Sequence, residues 1–100
     1  MNDYTTSQAL GFVELPNLCD AINVLDDMLK AAAVQFVTWE KRLGGRLVTI
    51  IIEGSVGNVH AAIDAAKQSS GVVDALILPV PHAETIKIVG RSVKKNRMSQ

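Results

Sequence analysis

The sequence predicts an α+β domain on the ferredoxin-like plan β-α-β-β-α-β, an antiparallel sheet with two helices on one face. Three observations predict it. Apolar residues recur at three-then-four spacing from Leu18 to Ala32. Two strand-like runs, "VQFVTWEKR" and "LVTIIIE", are joined by a short link with two glycines. A second, smaller helical stripe then leads into a last apolar run stopped by Pro79 and Pro81.

Each element has its own reason. Residues 9–13, "ALGFV", form a short apolar run that suits a buried strand ending near Glu14. Pro16 and Asn17 punctuate, and Asn17 is a natural N-cap for the first helix, with Asp20 near the positive end of its dipole. The buried face of that helix is expected to carry Leu18, Ala21, Ile22, Leu25, Met28, Leu29 and Ala32. From Val34 to Arg42, Val34, Phe36, Thr38 and Glu40 alternate against Gln35, Val37, Trp39 and Lys41. Leu47–Glu53 is nearly continuous in apolar residues, as in a strand at the centre of a sheet. Ser55 can cap a second helix with Val56, Val59, Ala62, Ile63 and Ala66 on its apolar stripe, closed by Ser69, Ser70 and Gly71. Val72–Leu78 reads as the last strand, residues 83–89 as a short further element, and residues 90–100 as a frayed end.

One hundred residues, 48% apolar and 4% aromatic, suit a single domain with a core of Ala, Val, Ile and Leu. Ten basic and ten acidic residues cancel, which argues against a global attraction to nucleic acid or membrane. Lys87, Arg91, Lys94, Lys95 and Arg97 nonetheless make the C-terminal end basic, but without interleaved aromatics it lacks the marks of a nucleic-acid arm. Cys19 is the single cysteine, so the default setting is reducing and intracellular. No secretory signal or spanning run is visible, and the chain is read as soluble.

Catalytic chemistry is hard to assemble from these residues. His60 and His82 have no second ligand at metal-binding spacing, so no metal or other cofactor is expected. Cys19 has no basic partner nearby, and Asp26 and Asp27 sit about 100° apart on a helix, poor geometry for a carboxylate pair. Asp64 reads as a structural or surface acid. The stretch "LGGR" lacks the spacing of a phosphate loop and joins two strands rather than opening a helix.

Four stretches in series carry a resemblance: "ALGFVEL", "AINVLDDMLKAAAVQFV", "WEKRLGGRLVTIIIEGSVGNVHAAIDA" and "LPVPH". Over roughly residues 8–89 the chain resembles bacterial microcompartment shell proteins of the single-domain, hexamer-forming type. The resemblance implies a BMC shell domain over residues 1–89 with a basic, flexible tail over residues 90–100. It implies a non-enzymatic, homo-hexameric tile in the shell of a cytoplasmic compartment, meeting other shell proteins and encapsulated enzymes. It also implies that the loop of Arg42, Leu43, Gly44, Gly45 and Arg46 rims a central pore for small metabolites. The family's Gly-Ser-Gly pattern falls on Gly44, Gly45 and Arg46, with one extra residue around Arg42 and Leu43. By the same resemblance Lys30, Val80 and His82 lie at the hexamer-hexamer edge. Val80 stands where the family's turn carries an arginine, and the second helix is shorter by about one turn. From the residues alone a rival stays open, a small ferredoxin-like regulatory module that holds an effector in a dimer or trimer.

Overall fold

A computed structural model of the chain describes residues 4–42, 44, 46–69 and 71–98. Strand β1 (Ala9–Leu15), helix α1 (Leu18–Ala31), strands β2 (Gln35–Arg42) and β3 (Leu47–Gly54), helix α2 (Val56–Lys67), strand β4 (Asp74–Leu78) and helix α3 (Ala83–Met98) follow in order. The sheet order is β2-β3-β1-β4 with every neighbouring pair antiparallel, which is the split-βαβ arrangement. The caps expected from the sequence are formed. Asn17 Oδ1 accepts from the Asp20 amide at 2.8 Å, and Ser55 Oγ accepts from the Asn58 amide at 3.2 Å.

The main core lies between the sheet and the α1–α2 layer. Ala9, Val13 and Leu15 of β1 and Val48, Ile50 and Ile52 of β3 meet Ala21, Val24 and Met28 of α1 and Val59, Ala62, Ile63 and Ala66 of α2. Gly11 belongs to this face. A Cβ there would stand 2.9 Å from Val59 Cγ1, so the missing side chain is what lets α2 settle onto β1. The buried stripe of α1 runs through Val24 rather than Ile22 and Leu29, which are seven residues apart on one flank and stay exposed. Val56, in the first turn of α2, is likewise exposed.

The opposite face corrects the two-layer expectation. Residues 83–98 form one 16-residue helix, where the sequence suggested a short element and a frayed end. This α3 covers part of the second sheet face. Val89 and Val93 pack with Leu10, Phe12, Ile51 and Leu78, residues that alternate with those of the main core along β1, β3 and β4. The register of β2 also departs from simple alternation. A bulge between Phe36 and Thr38 places Val37 and Thr38 together toward α3 and turns Trp39 to the main core. Trp39 stacks edge-on with Phe36 at 5.7 Å, and Lys41 Nζ lies 5.6 Å from its ring centre.

Candidate functional site

The β2–β3 hairpin carries the loop singled out in the sequence. Register pairs Arg42 with Leu47, so residues 43–46 form the connection, and the Arg46 amide donates to the Arg42 carbonyl at 3.1 Å to close it. Gly44 has φ of 68°, the left-handed region in which a side chain is strained, and no atom lies within 4 Å of where its Cβ would be. Leu43 and Gly45 fall outside the described residues. Arg42 and Arg46 are both exposed. Because Arg42 pairs with Leu47 and Glu40 with Thr49, Arg42 and Glu40 share the sheet face that α3 partly covers.

The root of this hairpin is tied to α3 by polar contacts. Thr38 and Ser92, both buried, lie with their hydroxyls 3.1 Å apart. Asn96 Nδ2 donates to Thr38 Oγ1 and to the Trp39 carbonyl, each at 2.7 Å. Ser92 Oγ also donates to the Glu40 carboxylate, whose other oxygen takes a 2.6 Å ion pair from Lys95. Burial pushes the Glu40 carboxyl up. The hydrogen bonds from Lys95 and Ser92, with the nearby charges of Lys95 and Arg42, outweigh it and hold the group below the usual carboxylate range. Beside Gly90, midway along α3, Tyr4 donates to Glu53 at 2.5 Å, and burial together with that carboxylate raises the phenol well above its ordinary range.

The three positions nominated by the resemblance for the tile edge are all on the surface. Lys30, in the last turn of α1, pairs with Asp26 at 2.7 Å, and this hydrogen-bonded partner holds its ammonium above the ordinary value. Val80 follows β4 and is 89% exposed. His82 does local work: its Nδ1 accepts from the Glu84 amide at 3.0 Å and so caps α3, a role that the sequence pattern did not disclose. Among the described residues no hydrogen bond or ion pair joins Lys30 to Val80 or His82.

The other candidates do not converge. Cys19 is exposed on α1, His60 and Asp64 are exposed neighbours four residues apart on α2 that form no ion pair or hydrogen bond with each other among the described residues, and Asp27 accepts from Ser69 at 3.2 Å. No group of three metal-ligating side chains occurs among the described residues, and no helix among them is long and apolar enough to cross a membrane.

Comparison with known proteins bears on this geometry. Residues 9–81 match the family model described as the BMC domain. The chain is 41% identical over 92 residues to the bacterial microcompartment shell protein PduA of Salmonella typhimurium, an alignment covering 88% of this chain and 97% of that protein. It is 39% identical over 89 residues to the carboxysome shell protein CsoS1A of Hydrogenovibrio crunogenus, covering 84% and 90% respectively. Among solved structures, a microcompartment protein from Desulfitobacterium hafniense superposes with a TM-score of 0.73 at 27% identity over 87% of this chain. This chain spans about half of that one, 49% of its length.

Proposed function

The chain belongs to the BMC-domain family and is a structural subunit of a bacterial microcompartment shell; from this we propose that it assembles as a homo-hexameric tile with a central metabolite pore. In this reading the loop of Arg42, Leu43, Gly44, Gly45 and Arg46 rims the pore. The observation that supports it most is the hairpin itself. A four-residue connection with Gly44 at positive φ and open space around it lets several copies approach one axis without side-chain collision. The arginines at both ends of the loop then favour anionic metabolites.

Uncovered apolar surface supports assembly. Ile22, Leu29, Phe36 and Leu76 are all exposed in the single chain, and association would bury such residues. The tile acts by assembling and by metering solutes rather than by catalysis. At its edge, Lys30 covers apolar surface with its stem while its head meets the neighbouring tile, and His82 lies beside it. Val80 has no hydrogen-bond donor in its side chain, so lateral contacts are weaker than an arginine there would make them. The tile is therefore a specialised member of a mixed shell, alongside other shell proteins and enclosed enzymes.

Native mass spectrometry of the purified protein tests the assembly. A closed species of six chains is expected. A monomer, dimer or trimer as the only species would overturn the tile.

A further inference from the structure

Between α3 and the sheet face bearing Phe12 and Ile51 runs a groove of about 380 Å³. That volume lies within the range of small-molecule sites, roughly 300–1,000 Å³. Its accessible apolar surface comes from Phe12 and Ile88, above the nearly buried Ile51 and Val89, and its charged rim from Arg42, Arg91 and Lys95. Glu40 is the one acid in the lining, and its carboxylate is already engaged by Ser92 and Lys95. Neither Arg42 nor Arg91 forms an ion pair among the described residues. Two guanidinium groups that stay charged at any accessible pH thus border a partly apolar trough, and its one acid, Glu40, is hydrogen-bonded to Ser92 and Lys95 while its charge also acts on Arg42.

We propose that this groove binds a small phosphate monoester with a short alkyl body, its head between Arg42 and Arg91 and its body against Phe12 and Ile88. The phosphate dianion matches two planar donor forks better than a single carboxylate does. The alkyl part removes apolar side-chain surface from water. The site lies within one chain and goes beyond the pore reading. Arg46, across the hairpin loop from Arg42, is not part of its lining.

The test is isothermal titration of the purified assembly with n-butyl phosphate, inorganic phosphate and 1-butanol. Saturable binding of n-butyl phosphate at one molecule per chain is expected, with inorganic phosphate about tenfold weaker and 1-butanol silent. Arg91→Gln should weaken n-butyl phosphate about tenfold or more, while Lys67→Gln, exposed on α2 and outside the lining, leaves it unchanged. Absence of saturable binding overturns the proposal, as it would if a neighbouring chain filled the groove in the assembly. It falls equally if Arg91→Gln has no effect, or if Arg46→Ala abolishes binding and so places the anion at the loop. Native mass spectra of the same samples keep the two ideas apart: a mass other than six chains counts against the tile, and the titration alone judges the groove.

Discussion

Asn96→Ala tests whether the polar anchor holds α3 on β2. The amide nitrogen of Asn96 lies 2.7 Å from both Thr38 Oγ1 and the Trp39 carbonyl, and 3.4 Å from Ser92 Oγ. It carries two hydrogens, so the two short contacts are the bonds that count. At about 0.5–1.5 kcal/mol net for each bond, their loss removes about 1–3 kcal/mol. The lower half of that range applies, because Thr38 keeps a partner in Ser92 Oγ, 3.1 Å away, to which its hydroxyl can donate, and only the Trp39 carbonyl loses its short donor, the one Ser92 hydrogen being given to Glu40. Alanine is also the better helix former, which offsets about 0.6 kcal/mol. The net expectation is about 1 kcal/mol, or about fivefold faster amide exchange through local opening of α3. Hydrogen exchange read by mass spectrometry on peptides spanning residues 83–98, with peptides from α1 and β3 as internal controls, measures it. Unchanged exchange in α3, or equal acceleration in all three elements, would refute the anchor.

Three further outcomes are expected. Glu40 is held below the usual carboxylate range in the folded chain, so its contribution is present above the unfolded value, near pH 4, and is lost as pH falls through the lower folded value; α3 exchange should rise across that acidic window, and Glu40→Gln should remove the step. Val80→Arg supplies a donor at the exposed, proposed edge position and should produce or enlarge two-dimensional sheets in electron micrographs, with no change in native mass of the single tile. Arg46→Ala should lower anion flux through assembled shells without dissociating the tile, because like charges about 10 Å apart in water repel by only about 0.4 kcal/mol per pair; unchanged flux would remove Arg46 from any selectivity role.

What could be seen in the sequence divides by the range of the interaction that encodes it. The caps at Asn17 and Ser55 were legible because donor and acceptor are three residues apart, and the glycine-bearing hairpin was legible because its turn and flanking strands adjoin. The course of α3 was not. Its apolar positions Ile86, Val89 and Val93 are diluted by five basic residues, and its fixings to Thr38, Trp39 and Glu40 lie more than fifty residues away in the chain. The bulge at Val37 hid the same contact from the strand side, since strict alternation sends Val37 toward the face that Trp39 occupies. The candidate site divides in the same way. Gly44 announces itself because positive φ is a property of one residue. A pore rim and a tile edge are instead relations between copies, and one chain carries only half of each contact. The resemblance could therefore nominate Lys30, Val80 and His82, whereas the single chain accounts for Lys30 through Asp26 and for His82 through the cap of α3. Val80, by contrast, is exposed with no side-chain polar contact among the described residues, so nothing inside the chain holds it and its surface is free for a contact between copies.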